Sequence, residues 1–248
     1  MLAQQTSLDV ISNNLANANT TGFKAQRAQF ADLMYQTTAT SSSEVNGRPT
    51  AMQVGLGSYW TGNATDLTQG APVQTGAPLN LAINGGGFFT VTGADGSDQY
   101  TRDGTFTQDA TGQLVTQQGL LLTPNIVVPP GSTGISVDTQ GNITATVPGG
   151  TAPTKLGTIQ ITTFPNPAGL TNLGSNLYAQ GGGSGSPTVA VPGANGAGTL
   201  QSGYVEGSNV QVVNEMVNMI TAQRAYEINS KAIQTADSML QVANNLKQ

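Results

Sequence analysis

The chain has 248 residues, enough for one large domain or two modest ones. Only 8% of them are charged, where a typical globular domain has about 25%, and the net charge is −5. A surface built mostly of neutral amides and hydroxyls does little to keep copies apart, and the acidic balance disfavours a nucleic-acid partner. Because histidine and cysteine are both absent, the composition excludes the commonest general base, thiolate chemistry and cysteine-based metal sites.

Membrane insertion and cofactor chemistry find no support in the sequence either. No apolar run approaches the roughly 18 residues of a membrane span, and the first basic residue is Lys24, so neither a span nor a cleaved signal peptide is expected. The serines have no histidine to activate them. The carboxylates of one region match no EF-hand spacing and lie at turns, where Asp is common: Asp95, Asp98, Asp103 and Asp109. We therefore expect no metal and no cofactor.

The N-terminal segment is predicted to begin as an amphipathic helix. Apolar residues recur at spacings of three and four on one face, at Leu8, Ile11, Leu15 and Ala18. The polar face carries asparagines, which are mediocre helix formers, in place of Lys and Glu: Asn13, Asn14, Asn17 and Asn19. Thr20-Thr21-Gly22 is predicted to end the helix, with Gly22 as its C-terminal cap.

Residues 37 to about 207 have the pattern of β structure. Short stretches alternate apolar with polar residues, as at Leu79, Leu81 and Ile83, and turn pairs such as Asp103-Gly104 separate them. The stretch 37–52 differs because it shows no clear period.

The C-terminal segment changes character again. From residue 208 to 246 neither Gly nor Pro occurs, and Ser208 or Asn209 is positioned to cap a helix start. Apolar residues repeat every seven positions, which is typical of a coiled coil, and alanines three positions later, at Ala222, Ala236 and Ala243, permit close helix packing. The repeat comprises Val212, Met219, Tyr226, Ile233 and Leu240, with Ala222 and Ala236.

These patterns predict an α+β protein with a helix at each end and a central, mainly β domain. Two arrangements stay open from the patterns alone. In one, the terminal helices pack on the protein's own sheet. In the other, they pair as a coiled-coil unit apart from the β domain, and their apolar stripes contact other subunits.

Four segments resemble the motifs of one family. Asp9–Lys24 (DVISNNLANANTTGFK) resembles the N-terminal signature of the bacterial flagellar rod and hook axial proteins. Glu215–Lys231 (EMVNMITAQRAYEINSK) resembles their C-terminal signature. Ile83–Phe89 and Tyr100–Phe106 are similar to the central β motifs of the family. The likeness extends over nearly the whole chain.

Within the family, the chain most resembles the distal rod subgroup. Leu170–Tyr178 and Gly203–Val210 are similar to that subgroup, and the length is short for a hook protein. The stretch 37–52 also occupies the place where the subgroup carries a segment associated with a straight, stiff rod. We take as its representative residues Thr37, Ser42, Glu44, Arg48 and Met52.

The resemblance implies three regions. Residues 1–30 and 208–248 would form the helical wall of a hollow tube, residues 31–78 and 200–207 an extended linking region, and residues 79–199 an outer β domain. The implied assembly interface comprises Leu8, Ile11, Asn13, Asn14, Leu15, Asn17, Val212, Met219, Ala222, Tyr226, Ile233, Ala236 and Leu240. The asparagine amides would hydrogen-bond across subunits and to backbone, which fixes lateral register without a buried charge.

The function implied by the resemblance is mechanical. The chain would be a structural subunit of the flagellar distal rod, spanning the periplasm as a straight drive shaft that carries motor torque to the hook. The implied partners are other copies of the chain, the proximal rod proteins and the hook protein, the surrounding peptidoglycan and outer-membrane rings, and the flagellar type III export apparatus. Export without a cleaved signal peptide is expected.

Three alternatives compete with this interpretation. A proximal rod or hook subunit of the same family would differ in the shape of its polymer. A secreted β-rich adhesin would favour clusters of exposed aromatic residues, yet aromatics make up 5% of the chain and Trp60 is the sole Trp. An enzyme ranks last because His and Cys are absent and no carboxylate pair stands out.

Overall fold

Two compact units alternate along the chain in the computed structural model, which describes residues 2–39, 52–93, 95–150 and 152–245. Unit 1 is formed by Met1–Ala16, Gln26–Thr65 and Gln211–Gln248, and unit 2 by Asn17–Ala25 and Asp66–Val210. Both chain ends therefore belong to unit 1. The predicted α+β class is confirmed, while the division into three regions stays a prediction.

Unit 1 combines the two long helices with a β ribbon. Its elements are α1 (Leu2–Ala16), β1 (Gln26–Asp32), β2 (Gln36–Ala39), β3 (Met52–Val54), β4 (Ser58–Thr65) and α2 (Val212–Asn245). Helix α1 packs against α2 and against β1 and β4. Strands β1 and β4 pair antiparallel, and β2 and β3 continue the pairing. We call the paired segments 26–39 and 52–65 the ribbon. The coiled-coil geometry of the helix pair stays a prediction.

Helix α2 is much longer than its partner. It has 34 residues and is about 51 Å long at 1.5 Å per residue, whereas α1 has 15 residues and is about 22 Å long. Because no Gly or Pro interrupts it, α2 continues well beyond the part that α1 covers. In the described ranges, no helix combines the length and the apolar character needed to cross a membrane.

The predicted cap of α2 is wrong. The helix begins after Gln211, whose carbonyl accepts the Glu215 amide hydrogen at an N···O distance of 3.0 Å. Ser208 Oγ instead accepts a hydrogen bond from Val210 N within a turn. The Asn209 side chain bonds to other segments of unit 2.

The predicted C-terminal cap of α1 is also wrong. The helix ends at Ala16, and the Thr20 hydroxyl donates to Asn17 Oδ1 at 3.1 Å, a local bond that competes with the helical ladder. Gly22 has a φ of +68°, and a Cβ on it would lie 2.6 Å from the Asp103 nitrogen. Glycine is therefore required at this position by a turn packed against another segment of unit 2.

Unit 2 is built almost wholly of short antiparallel strands. They are β5 (Pro72–Gln74), β6 (Leu81–Asn84), β7 (Phe88–Thr92), β8 (Asp98–Thr101), β9 (Thr107–Gln108), β10 (Leu114–Val115), β11 (Leu121–Thr123), β12 (Thr133–Val137), β13 (Asn142–Thr146), β14 (Thr154–Thr158), β15 (Ile161–Thr163), β16 (Thr171–Gly174), β17 (Leu177–Ala179), β18 (Thr188–Ala190), β19 (Thr199–Ser202) and β20 (Tyr204–Glu206), with a 3-10 turn at Pro167–Gly169. The largest sheet has the order β16-β17-β8-β7-β11-β10-β9, and β15 pairs with both β7 and β18. Three smaller sheets join β12-β13-β14, β6-β19 and β5-β20.

Two apolar clusters form the core of unit 2. The larger contains the alternating residues of the predicted strands, among them Ile83, Ile143 and Ile161, all fully buried. The smaller is aromatic and includes Tyr100 packed edge-to-face on Phe164, with ring centroids 4.8 Å apart. The residues that β6 contributes to the larger cluster, Leu81 and Ile83, lie two apart, in agreement with the period-2 pattern of the sequence.

The aspartates that sit at turns fasten those turns through their side chains. The carboxylates of Asp95, Asp103 and Asp109 each accept hydrogen bonds from the backbone N–H and the hydroxyl of the residue two positions later. The Asp138 carboxylate accepts from the Asn142 backbone and side chain. Since these bonds favour the ionised form, the pKa values of Asp95, Asp109 and Asp138 lie below the usual 3.8.

Unit 2 is therefore expected to lose stability in acid. A carboxyl whose folded-state pKa is depressed stabilises the fold above its unfolded pKa, here 3.8, and this contribution disappears as the pH falls through the folded-state pKa. We expect Asp109→Asn to lower the melting temperature at neutral pH and to weaken its fall in acid, measured by circular dichroism. Asp9→Asn, at an exposed position of α1, is the control. Identical acid dependence in the Asp109 variant and the wild type would contradict this account.

Candidate functional site

The predicted interface residues of unit 1 divide into a covered and an open group. Ile11 of α1 and Ala222 of α2 are buried, and Leu8, Leu15 and Met219 are half-buried. Together with Ser7, Arg27 and Ala225, Ile11 and Ala222 line a cleft of about 580 Å³ formed by α1, β1 and α2. This part of the heptad stripe is thus used within the chain.

The rest of the heptad stripe is open to solvent. Val212, Tyr226, Ile233 and Leu240 are between 40 and 64% exposed, and Ala236 is exposed as well. An apolar stripe this long on one helix is typical of a surface that packs against another protein. Its role in assembly stays a prediction.

Helix α2 also carries a second apolar stripe, which the heptad argument missed. Val213, Met216, Val217 and Ile220 are between 51 and 74% exposed. Their spacing of i, i+3, i+4 and i+7 places them on one face, rotated away from Ala222. This helical spacing is present in the sequence, but the apolar face of α2 was predicted from the longer seven-residue repeat, and a second face was not considered.

The asparagines of α1 have different environments. Asn14 is buried and pairs with the backbone of Gln26: its Oδ1 accepts from Gln26 N at 2.9 Å and its Nδ2 donates to Gln26 O at 2.8 Å. The predicted part of Asn14 in the assembly interface stays a prediction. Because both ends of this amide are bonded within the chain, Asn14 fixes the start of β1. Asn13 is exposed, Asn17 lies where α1 ends, and contacts of either with other subunits stay a prediction.

Only the flanks of the stretch 37–52 are described. Thr37 pairs with Gln53 and Met52 pairs with Ala39 in the β2–β3 ladder. Ser42, Glu44 and Arg48 lie outside the described residues. The predicted link between this stretch and stiffness is therefore untested.

A buried charged network lies in unit 2. The Glu206 carboxylate accepts from Lys24 Nζ at 2.5 Å, from Gly70 N at 2.9 Å and from Arg102 Nη1 at 3.2 Å. One further donor of each cation reaches a backbone oxygen, since Lys24 Nζ donates to Thr68 O and Arg102 Nη2 to Gly85 O, whereas the buried Arg102 Nε has no hydrogen-bond partner among the described residues. The three charged side chains are at most 6% exposed. We call Lys24, Arg102 and Glu206 the charged triad.

Burial dominates the electrostatics of the triad. Two cations share one carboxylate, and desolvation lowers the pKa of both Lys24 and Arg102 even though Glu206 opposes that shift. The Arg102 guanidinium also lies 5.2 Å from the centroid of the Phe88 ring. Burial raises the pKa of nearby Tyr178 to about 12. A network of this kind costs desolvation energy, so its value lies in fixing a specific arrangement.

Asn209 ties together the segments next to the triad. Its Oδ1 accepts from Ala25 N at 2.7 Å, and its Nδ2 donates to Asp66 O at 2.8 Å and to Thr68 O at 3.2 Å. Asp66 N in turn donates to Ala25 O at 2.8 Å. Ala25, Asp66 and Val210 lie at three of the four positions at which the chain passes between the units, so Asn209 holds these three crossings together within unit 2.

Sequence reasoning did not identify the triad or the Asn209 contacts. One signal was present: in a chain with only 8% charged residues, Lys24, Arg102 and Glu206 each stand inside a quoted family motif. Nothing in the sequence states that three positions so far apart converge, because that pairing depends on the tertiary fold.

Removing the charge of Glu206 is expected to destabilise unit 2 strongly. Glu206→Gln leaves two buried cations without a counter-charge, which costs about 3–5 kcal/mol of unfolding free energy. The measurement is urea unfolding of the full chain. Glu227→Gln is the matched control, since the Arg224–Glu227 pair is 74% and 54% exposed and contributes roughly 0.5 kcal/mol or less. Equal losses in the two variants would contradict the role assigned to burial.

Three family models match separate parts of the chain. The model described as "Flagella basal body rod protein" matches residues 1–24, "Flagellar hook protein FlgE/F/G D1 domain" matches residues 82–145, and "Flagellar basal body rod FlgEFG protein C-terminal" matches residues 201–246. Each matched range supplies one member of the charged triad.

Whole-length relatives agree with these matches. The flagellar basal-body rod protein FlgG of Buchnera aphidicola subsp. Acyrthosiphon pisum is 49% identical over 98% of this chain and 95% of its own length. FlgG of Borreliella burgdorferi is 46% identical over 100% of this chain and 95% of its own length. The rod protein FlgF of Caulobacter vibrioides is 35% identical over 89% of this chain and 83% of its own length.

Proposed function

The chain belongs to the flagellar basal-body rod and hook family and is a structural subunit of the rod, and from this premise we propose that its copies join into a straight hollow tube that carries motor torque to the hook. Of the three relatives described above, the two FlgG proteins are 49% and 46% identical to the chain and the FlgF protein is 35% identical. The proposed tube is the distal part of the rod.

The observation that carries this proposal is the open apolar surface of α2. Helix α1 can cover less than half of α2, and the heptad stripe continues uncovered through Ile233 and Leu240. Burying one such side chain contributes about 1.5–3 kcal/mol, so a stripe of several supplies a strong drive to associate. Helices from neighbouring copies are the occupants that the repeat fits.

The contacts of unit 2 suit a load-bearing subunit. A force carried along the chain passes through the residues at which unit 2 begins and ends in the sequence. Asn209 binds three of these crossings to one another, and the charged triad anchors the same segments in the core. We infer that these bonds share load among the crossings.

The finer setting of the rod belongs to the same proposal. The tube would span the periplasm between proximal rod proteins and the hook protein, pass through the peptidoglycan and outer-membrane rings, and receive its subunits from the type III export apparatus without signal cleavage. The stretch 37–52 would contribute stiffness, and Asn13 and Asn17 would help to fix lateral register. The function requires no bond chemistry and no cofactor.

A charge placed on the open stripe is expected to prevent assembly. Ile233→Glu should leave the monomer folded, because this side chain is half exposed, but should abolish polymers by burying a charge between copies. The measurement is sedimentation and electron microscopy of the purified chain. Gln234→Glu adds the same charge one residue away, on another face of α2, and should polymerise normally. Normal polymers from the Ile233 variant would contradict the proposal.

The position of the chain within the flagellum is expected to be the straight segment between the rings and the hook. Immunogold electron microscopy of isolated hook–basal bodies, with antibody against residues 79–200, measures this directly. Label on the curved hook would keep the family and overturn the proposed place in the distal rod.

A further inference from the structure

The sulfur atoms of the chain are concentrated in unit 1. Cysteine is absent, and all six methionines fall in the segments of unit 1: Met1, Met34, Met52, Met216, Met219 and Met239. The longer unit 2 has none. Because methionine and cysteine are the side chains whose sulfur takes up oxygen from an oxidant, sulfur oxidation can alter unit 1 and leaves the side chains of unit 2 unchanged.

The three methionines of α2 differ in exposure. Met239 is 63% exposed and Met216 is 51% exposed, whereas Met219 is half-buried. A thioether reacts with a dissolved oxidant only where the oxidant can reach the sulfur, so the exposed fraction ranks the three sites. Met216 and Met239 are therefore the reactive methionines of α2, and Met219 is expected to react more slowly.

The surroundings of Met216 offer no partner for a polar group. Met216 lies on the second apolar stripe of α2, between Val213 and Ile220, and none of these side chains carries a hydrogen-bond donor. From Glu215 onward the backbone N–H groups are bonded along the helix. A sulfoxide oxygen buried on this face would lose its water without gaining a donor from its own helix.

The surroundings of Met239 are similar. Ala236 and Val242, three residues before and after it, share its face, and both are exposed. Ala236 belongs to the heptad stripe that neighbouring copies are proposed to cover. The hydroxyl of Thr235, four residues before Met239, already donates to Lys231 O at 2.8 Å. A sulfoxide at Met239 would therefore place an unpaired polar oxygen beside the open stripe.

We propose that Met216 and Met239 are oxidation sites, and that their conversion to sulfoxides by hydrogen peroxide prevents this chain from joining a polymer. The proposal rests on the proposed function, in which copies associate through α2. In the reaction, the sulfur lone pair attacks one peroxide oxygen, so an S–O bond forms and the O–O bond breaks. The second oxygen leaves as water with both hydrogens, and the thioether is thereby oxidised by two electrons while the peroxide is reduced.

The same two side chains suit the reduced interface. A thioether is apolar and flexible, so it fills irregular gaps between packed helices, whereas its sulfoxide is polar and chiral. Oxidation would act on free subunits, because copies that cover α2 also keep the oxidant from the sulfur. A finished polymer is therefore expected to resist a peroxide dose that inactivates the monomer.

The test begins with the wild-type full chain, which is treated with hydrogen peroxide before polymerisation. Sedimentation gives the critical concentration, and peptide mass spectrometry gives the oxidised fraction at each methionine. We expect Met216 and Met239 to be oxidised faster than Met219, and the critical concentration to rise about tenfold or more, because an unpaired polar group is then buried. Methionine sulfoxide reductases that act on both sulfoxide epimers should restore polymerisation.

Leucine variants separate the methionines of α2 from the others. Leu is close to Met in volume and has no sulfur, so the double variant Met216→Leu, Met239→Leu should polymerise normally and continue to do so after peroxide treatment. Met34→Leu is the matched control, since Met34 is 86% exposed and lies outside α2, and this variant should stay as sensitive as the wild type. Met216→Gln, which introduces a polar group of similar length, should impair polymerisation without any oxidant.

Each contrary outcome has a distinct meaning. Chains that carry sulfoxides at Met216 and Met239 and polymerise as before would overturn the oxidation proposal and leave the proposed function standing. Peroxide sensitivity that persists in the double leucine variant, or that disappears in Met34→Leu, would assign the effect to other residues and overturn it as well. If the untreated wild-type chain formed no polymer at all, the proposed function would fail, and the oxidation proposal with it.

Discussion

The Glu206 carboxylate accepts hydrogen bonds from Lys24, Gly70 and Arg102, donors that lie far apart in sequence. A buried anion without such partners would not be tolerated, and neither would the two cations without it. In unit 2 these bonds hold the turn after α1, the end of β8 and the end of β20 at one point. Lys24 and Glu206 lie within a few residues of positions at which the chain enters and leaves the β unit.

The two units differ in how much of their apolar surface they bury. Unit 2 buries two apolar clusters of its own and fastens its turns with aspartates, so contacts within the unit hold its fold together. Unit 1 leaves the apolar stripes of α2 and the apolar side chains of the ribbon exposed, so much of its apolar surface is not covered by contacts within the chain. A rod subunit needs both properties, since a unit with a well-packed core resists deformation under load and a unit with exposed apolar surface can bind neighbouring subunits.

Features set by residues close together in the sequence were predicted, and features set by contacts between distant residues were not. The β core and the long terminal helix were predicted correctly because strand alternation and the heptad repeat are local patterns. Both helix caps were predicted wrongly. Gly22 packs closely against Asp103, and the Asn209 side chain hydrogen-bonds to Ala25 and Asp66. Residues that local rules assign to helix caps therefore make tertiary contacts instead. The charged triad could not be predicted, since its three members meet only after the fold has formed.

The order of the elements along the chain also imposes an order in time. All of unit 2 is present once residue 210 has been synthesised, but α1 cannot contact α2 until the later segment Val212–Asn245 has been made. Domains fold as units while later segments are still being made, and contacts between distant segments form slowly. The helix with the most exposed apolar surface is thus synthesised after the whole of unit 2, which shortens the period in which an unfinished chain can associate with the wrong neighbour.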